Sequence, residues 1–213
     1  MKTILCYGDS NTHGLNPDWI HTGVVTRHPQ NVRWPGKLAE LLGPDFRVIE
    51  EGLNGRTTVF DDSISVGRNG LPYFLPCLES HSPLDLVIIM LGTNDTKPLI
   101  SATPFDIAAG MGRLAKIALD PYSYTTEKPP KVLIAAPVPL GEASVHAPAD
   151  EEARAKSIAL APLYEDLAKA LGCGFIDMGK VASTAEGEGV HLDSAAHAAV
   201  AMAMHKKVLE MLA

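Results

Sequence analysis

Short apolar runs alternate with longer segments of helical periodicity along this chain. The runs are mostly continuous rather than alternating, which is typical of strands that are covered on both faces of a sheet. They occupy residues 3–7, 46–49, 84–90, 131–136 and 174–176. Segments with helical patterns lie between and after them, at residues 35–42, 104–119, 151–171 and 194–212. This repeated alternation predicts a parallel sheet with helices on both faces.

The handedness of strand connections narrows the topology. Parallel strands are joined by right-handed crossovers, so we expect a three-layer α/β/α fold with a five-stranded parallel sheet in a flavodoxin-like arrangement. Asp150 and Ser194 stand before two of the helical segments and are predicted N-caps. At 213 residues the chain fits one domain, residues 1–213.

Four irregular segments interrupt the pattern. They are residues 11–32, 59–73, 121–130 and 138–149. The first, second and fourth of them follow the first, second and fourth predicted strands. Because ligands bind at the carboxyl ends of strands in open α/β sheets, we expect these three segments to wall a substrate pocket.

Charge and cysteine usage exclude several classes of protein. The net charge of -7 and the lack of a basic stripe argue against a nucleic-acid partner. No apolar stretch approaches the roughly 20 residues of a membrane helix, and the first run is too short for a signal peptide, so we expect a cytoplasmic protein without a membrane partner. Cys6, Cys77 and Cys173 are odd in number and far apart, and we expect buried thiols rather than disulfides or a zinc site.

A serine follows directly on the first predicted strand, in the segment Gly8-Asp9-Ser10-Asn11. A serine hydroxyl becomes a nucleophile only when a base takes its proton. His191 is the candidate base, and Glu188, three residues before it, is the candidate acid that orients the imidazole. The sequence therefore predicts Ser10, His191 and Glu188 as catalytic residues for acyl transfer.

Acyl transfer also needs hydrogen-bond donors for the developing oxyanion. The backbone N–H groups of Ser10 and Gly55 and the side-chain amide of Asn94 come from three neighbouring strand ends and are the predicted oxyanion hole. Glycine lets a peptide N–H approach a substrate without a side chain in the way. Asp9 is expected to brace the turn by accepting backbone N–H bonds.

With these residues the chain resembles the SGNH hydrolases, also called the GDSL family of esterases and lipases. The four residues that give the family its letters match Ser10, Gly55, Asn94 and His191. Similarity to the small bacterial arylesterase and acyltransferase branch lies in residues 48–58, 84–86, 90–95, 177 and 179. The resemblance implies a serine esterase that acts on short-chain aryl or acetyl esters through an acyl-enzyme intermediate, without a cofactor. It also implies acyltransferase activity where the pocket excludes water. The implied partners are a small-molecule ester substrate and further copies of the chain in a homo-oligomer.

Two departures from the family pattern affect the expected site. Relatives usually have leucine and tryptophan where this chain has Asn11 and His13, so these two are predicted substrate-binding residues in a more polar pocket. The family's aspartate is replaced by Glu188, which is longer by one methylene and serves the same role in other hydrolase triads.

Several alternatives stay open at this point. Asp193 is a rival acid, and with His197 it offers a different dyad, although His197 is more simply an exposed residue of the last helix. His13, His21 and His28 lack the short spacings of zinc sites, so we predict no metal. Trp19 and Trp34 are expected to be packing residues. An alternative function, favoured only by the glutamate at the acid position, is a catalytically weak relative that binds carbohydrate or acyl ligands.

Overall fold

A five-stranded parallel sheet forms the centre of the computed structural model, which describes residues 1–120, 128–142 and 151–213. In chain order the strands are β1 (Lys2–Gly8), β2 (Leu15–Asn16), β3 (Thr26–Arg27), β4 (Phe46–Gly52), β5 (Leu86–Met90), β6 (Lys131–Ala136) and β7 (Gly174–Asp177). β2 and β3 form a small antiparallel ribbon, and the other five form the sheet in the order β4-β1-β5-β6-β7. This places the second large strand outside the first and confirms the predicted flavodoxin-like arrangement.

Helices cover both faces of this sheet. They are α1 (Ser10–His13), α2 (Trp19–Thr22), α3 (Trp34–Leu42), α4 (Leu71–His81), α5 (Pro104–Leu119), α6 (Glu151–Leu171) and α7 (Ser194–Leu212). Buried residues of α4, α5 and α6 share one hydrophobic core, and those of α3 and α7 share the other. Between Lys2 and Leu212 the large elements thus pack on one sheet, which is compatible with the predicted single domain.

Alternate residues of each central strand enter opposite cores. In β1, Leu5 and Tyr7 pack with α4, α5 and α6, whereas Ile4 and Cys6 pack with α3 and α7. All four side chains are fully buried, because a covered strand has no solvent-facing side. This double burial is why the strands read as continuous apolar runs in the sequence.

The clearest differences from the sequence-based expectation concern two of the larger elements, while β2, α2 and β3 lie within residues 11–32, which the sequence predicts to be irregular. β4 extends to Gly52 instead of ending at residue 49, and its last three residues include two glutamates. Glu50 pairs with Arg33 and Glu51 with His81, so an edge strand tolerates charges that an apolar run would not contain. The helix α4 was not predicted, since Pro76 inside it interrupts the helical pattern.

The cap of the last helix also differs from the prediction. Asp193, in an extended conformation, accepts a hydrogen bond from the backbone N–H of Ala196 at 2.8 Å and is the N-cap of α7. Ser194 is already the first helical residue, so its prediction as the cap is wrong. Asp150 lies outside the described residues.

Two of the three cysteines are buried as the sequence predicts. Cys6 and Cys77 are buried, Cys173 is half-buried, and all three are free thiols. Burial raises the pKa of each of them, which keeps the thiols protonated and unreactive. Within the described part of the chain, no helix combines the length and the apolar character needed to cross a membrane.

Candidate active site

The short helix α1 lies directly against the ends of two strands. A Cβ atom on Gly8 would come within 2.0 Å of Thr12 Oγ1, and one on Gly52 would come within 2.1 Å of the His13 backbone nitrogen. Only glycine allows this close approach. Asp9 caps the helix by accepting from the Asn11 N–H at 2.9 Å, as predicted. Ser10, the first residue of α1, is thereby fixed at the carboxyl end of β1.

A continuous row of hydrogen bonds joins the three predicted catalytic residues. His191 Nε2 lies 2.9 Å from Ser10 Oγ, and His191 Nδ1 lies 2.6 Å from Glu188 Oε1. Because the Glu188 carboxylate can only accept, Nδ1 carries the imidazole proton and Nε2 accepts from the serine hydroxyl. The arrangement can remove the proton of Ser10 and stabilise the imidazolium that results.

The carboxylate of Glu188 is fully buried and bonded through both oxygens. Oε2 accepts from the backbone N–H groups of Val190 at 2.8 Å and His191 at 2.6 Å, and Oε1 also accepts from Trp19 Nε1 at 3.3 Å. Burial raises the pKa of Glu188, but the bonds from His191 and the backbone outweigh it and hold that pKa below its usual value. The charged carboxylate therefore persists at neutral pH, and Trp19 has a polar contact that sequence reasoning missed.

The rival dyad is not assembled in the structure. The Asp193 carboxylate caps α7, and His197 is fully buried with its Nδ1 accepting from the Trp34 backbone N–H at 3.2 Å. The expectation that His197 is exposed is wrong. The signal was available, because residue 197 falls at helical spacing with Val200 and Met204, which are also buried.

The predicted oxyanion donors come from three strand ends at one level. Gly8 of β1 pairs with Gly52 of β4 on one side and with Met90 of β5 on the other. In the described part of the chain, the N–H groups of Ser10 and Gly55 donate to no protein atom. These two backbone N–H groups are available to an incoming oxygen.

Asn94 is buried beside them, and within the described part of the chain its side chain makes one hydrogen bond. Its Nδ2 donates to the Arg56 carbonyl at 3.1 Å, which leaves the second amide hydrogen for another acceptor. The bond also ties the loop after β5 to the loop after β4. Asn94 is thus oriented by the same segment that carries Gly55.

Two further residues that sequence reasoning missed hold these loops together. Arg56 Nη1 donates to the Gly8 carbonyl at 2.8 Å. Asp95 accepts from the Thr58 backbone N–H at 2.9 Å and also from its hydroxyl, and burial raises the pKa of Asp95 to about 6. Their position directly after Gly55 and Asn94 in the sequence was the only available signal.

The predicted substrate-binding residues are placed differently. Asn11 is buried, and its amide donates to the Val190 carbonyl at 3.1 Å and accepts from the Leu192 N–H at 3.0 Å. Each polar end of the Asn11 side chain thus makes one bond to protein backbone, and a role for Asn11 in substrate binding stays a prediction. His13 is half-buried against Gly52, and burial followed by the charge of Arg27 lowers its pKa. A role for His13 in substrate binding stays a prediction.

One group of side chains in the described residues has the composition of a metal site. Ligand-type atoms of Glu51, Cys77 and His81 lie within 4.8 Å of one another between β4 and α4. His81 Nε2 is 2.9 Å from Glu51 Oε1, so these two already satisfy each other by a hydrogen bond. The three loop histidines considered in the sequence do not belong to this group, and the predicted absence of a metal requirement stays a prediction.

Comparisons with known proteins agree with this geometry. Residues 6–199 match the model of the GDSL-like lipase/acylhydrolase family. An aryl esterase of M. smegmatis is 40% identical with a TM-score of 0.90, and the match covers 100% of both chains. A carbohydrate acetylesterase family member from Sinorhizobium meliloti is 41% identical with a TM-score of 0.89, covering 100% of this chain and 99% of the other. A second carbohydrate acetylesterase from that organism is 38% identical with a TM-score of 0.92, covering 99% and 100%. No curated protein sequence matches significantly.

Proposed function

The chain belongs to the GDSL-like lipase/acylhydrolase family and is a carboxylic ester hydrolase, and from this premise we propose a serine esterase that hydrolyses short-chain esters through an acyl-enzyme intermediate. Aryl and acetyl esters are the proposed substrates. The observation that carries the proposal is the row of hydrogen bonds from Ser10 through His191 to Glu188. Ser10 is the nucleophile, His191 the general base and acid, and Glu188 the orienting acid.

The proposed reaction has two halves. In the first, Ser10 Oγ forms a bond to the ester carbonyl carbon while His191 Nε2 takes the hydroxyl proton. The tetrahedral oxyanion then collapses, the bond to the leaving alcohol breaks, and His191 returns the proton to that alcohol. In the second, a water molecule attacks the acyl carbon while His191 takes its proton, the bond to Ser10 Oγ breaks, and His191 returns the proton to Ser10 as the carboxylic acid leaves.

Hydrogen-bond donors for the negative charge that develops on the substrate oxygen are already in place. The N–H groups of Ser10 and Gly55 and the free amide hydrogen of Asn94 would bind the oxyanion. Glu188 stays ionised, since its lowered pKa leaves a full negative charge beside the imidazolium. The proposed mechanism uses only these side chains and backbone groups and calls for no cofactor.

Acyl transfer is a proposed extension of the same chemistry. An alcohol or a peroxide that reaches the acyl group on Ser10 before water does would accept it, with His191 again taking the proton. Adding an alcohol to a reaction with an aryl acetate tests this, because a transferase yields a new acetate ester at the expense of acetic acid. We further propose a cytoplasmic location, supported by the three free cysteines.

The binding-only alternative loses the feature that favoured it. Glutamate was the one departure from the family's acid, yet Glu188 reaches His191 Nδ1 at 2.6 Å and orients the ring as a shorter aspartate would. A non-catalytic relative would bind an acyl or carbohydrate ligand without releasing alcohol from any ester. Alcohol release is therefore the discriminating observation.

Hydrolysis of 4-nitrophenyl acetate by the parent, Ser10→Ala and Ser80→Ala tests the proposal. Ser80 lies in the last turn of α4, where its hydroxyl bonds to the Pro76 carbonyl, and it serves as the matched control. We expect Ser10→Ala to lose kcat by on the order of a thousandfold or more and Ser80→Ala to keep it. Near-parental turnover in a folded Ser10→Ala protein would show that the nucleophile is another group.

A further inference from the structure

The nucleophile and an unusual buried polar residue are neighbours in α1. We propose that Asn11 is a positioning residue for His191, holding the loop that carries the imidazole in place against Ser10. The inference rests on the proposed function, because it assigns Asn11 a task in the same reaction. Asn11 touches no reacting atom in this proposal and acts only through the backbone on either side of His191.

The two hydrogen bonds of Asn11 bracket His191. The Val190 carbonyl, which accepts from Asn11 Nδ2 at 3.1 Å, belongs to the peptide unit before the Cα atom of His191. The Leu192 N–H, which donates to Asn11 Oδ1 at 3.0 Å, belongs to the peptide unit after it. Fixing both peptide units fixes the two backbone torsions of His191 and therefore the origin of its side chain.

Glu188 completes this anchoring from the other direction. Its Oε2 accepts from the N–H groups of Val190 and His191, so it holds the peptide unit before His191 but makes no bond to the one after it. Asn11 supplies the only side-chain bond to the Leu192 N–H among the described residues. The His191 carbonyl in that second peptide unit also accepts from the Ala185 N–H at 2.7 Å. Asn11 therefore adds a side-chain anchor to both peptide units next to His191.

The surrounding loop makes such anchoring necessary. Residues 181–193 contain no helix or strand, and Gly187 and Gly189 both have positive φ values, at 75° and 77°. Glycines widen the range of backbone conformations that a loop can adopt. The position of His191 must then be set by contacts with other residues. One of these contacts is made by Asn11, which is next to the nucleophile Ser10 in the sequence.

Leucine at position 11 provides the test, because its side chain has the same branched shape and number of heavy atoms as asparagine but forms no hydrogen bond. In Asn11→Leu the Val190 carbonyl and the Leu192 N–H lose their side-chain partner while the branched shape is kept. A displacement of about 1 Å in a catalytic group costs up to about a hundredfold in rate. For aryl acetate hydrolysis we expect kcat to fall about ten- to a hundredfold, with KM changed by less than about threefold.

The pH profile distinguishes positioning from general loss of structure. A loosened His191 makes a weaker bond to Glu188, which stabilises the imidazolium, so the acid limb of the kcat/KM profile should move to lower pH in Asn11→Leu. Val208→Ala is the control, because Val208 is fully buried in α7 near its C-terminal end, away from His191. It should lose stability with kcat and the pH profile unchanged.

The outcomes separate the two proposals. If the parent hydrolyses the ester and Asn11→Leu matches its kcat and pH profile, the inference about Asn11 is overturned and the proposed function stands. If Val208→Ala loses as much kcat as Asn11→Leu at equal stability, a positioning role is likewise overturned. If the parent hydrolyses no ester, the proposed function fails and the role of Asn11 fails with it.

Discussion

The charge state of a buried carboxylate is set by the atoms that touch it, and Glu188 and Asp95 illustrate opposite results. Glu188 accepts from an imidazole, an indole and two backbone N–H groups, and its pKa falls below the usual value despite burial. Among the described residues, Thr58 is the one side chain from which Asp95 accepts, and burial raises the pKa of Asp95 to about 6. A glutamate held ionised beside a histidine is suited to catalysis, whereas Asp95 is suited to holding two loops together.

The acid of the site can be identified by comparing Glu188→Gln with Asp193→Ala. Glutamine keeps the volume of Glu188 but removes the charge that stabilises the imidazolium, so we expect kcat to fall by at least about a hundredfold. Removing the Asp193 cap should cost about 1 kcal/mol in the free energy of unfolding and leave kcat near the parental value. The reverse ranking in folded proteins would make Asp193 the acid.

His197 links protonation to stability. Burial first, then the charges of His28, His191 and Arg33, lowers its pKa from 6.5 to about 3. The unfolded chain thus binds this proton below about pH 6.5, while the folded chain binds it only near pH 3. The contribution of His197 to stability is present above pH 6.5 and is lost as the pH falls towards 3.

We therefore expect the free energy of unfolding of His197→Asn to depend less on pH below neutrality than that of the parent. Urea unfolding at several pH values between about 7 and 4 should show the parent losing up to about 1.4 kcal/mol per pH unit more than the variant. The comparison is needed because Asp9 and Asp95, with pKa values raised to about 6, act in the opposite direction in both proteins. Parallel curves for parent and variant would show that His197 does not titrate in this way.

At the scale of elements, the loop after β5 is held by α6. The Tyr164 hydroxyl donates to the Leu91 carbonyl at 3.1 Å, and Gly92, with φ at 123°, lies against Tyr164 and Leu160. A Cβ atom on Gly92 would come within 2.6 Å of the Tyr164 hydroxyl oxygen and 2.9 Å of Leu160 Cδ1. Asn94 follows two residues later, so its place in the site depends on this contact.

Alanine at Gly92 should disturb both stability and catalysis. We expect Gly92→Ala to lose more than about 2 kcal/mol in the free energy of unfolding, from the combined backbone strain and steric clash. Displacement of Asn94 should also reduce kcat by about tenfold or more. Gly172→Ala is the matched control, because Gly172 also has a positive φ, at 69°, with nothing within 4 Å of the added methyl group. Equal effects of the two substitutions would rule out a role for the contact with α6.

The sequence predicts most clearly the strands whose burial is complete, and it misses positions whose place depends on polar partners. β1 and β5 are covered on both faces and read as apolar runs, whereas the end of β4 contains Glu50 and Glu51, which are tolerated only because Arg33 and His81 lie beside them. The same limit applies to the site. Ser10 and His191 were predictable from motifs, but the bonds of Asn11 join residues 179 and 181 positions apart. No local pattern reports such a contact.

At the scale of the whole molecule, half of the large apolar side chains that are exposed in the described residues lie on segments that follow β1, β4 and β5. These are Val24, Val25, Ile64, Val66, Leu99 and Phe105. Groups of exposed apolar residues often mark interfaces between subunits. Their location on segments that follow strand ends motivates the predicted homo-oligomer, in which a second copy would narrow the approach to Ser10, and this stays a prediction.

Light scattering tests this prediction. The parent should have a mass that is a multiple of 22.7 kDa, and the double variant Ile64→Asp with Val66→Asp should shift towards the single-chain mass, because it places charges in an apolar contact. Both residues lie in an exposed loop, so the variant should fold normally. A parent that remains at 22.7 kDa at all concentrations would contradict an oligomer.

Covalent labelling of Ser10 tests the proposed nucleophile most directly. A fluorophosphonate should form a bond from phosphorus to Ser10 Oγ, with loss of fluoride and transfer of the hydroxyl proton to His191. Peptide mass spectrometry of the inactivated parent should place the adduct on Ser10, and Ser10→Ala should remain unlabelled. An adduct on another residue, or an active enzyme that loses its esterase activity without modification of Ser10, would contradict the proposed mechanism.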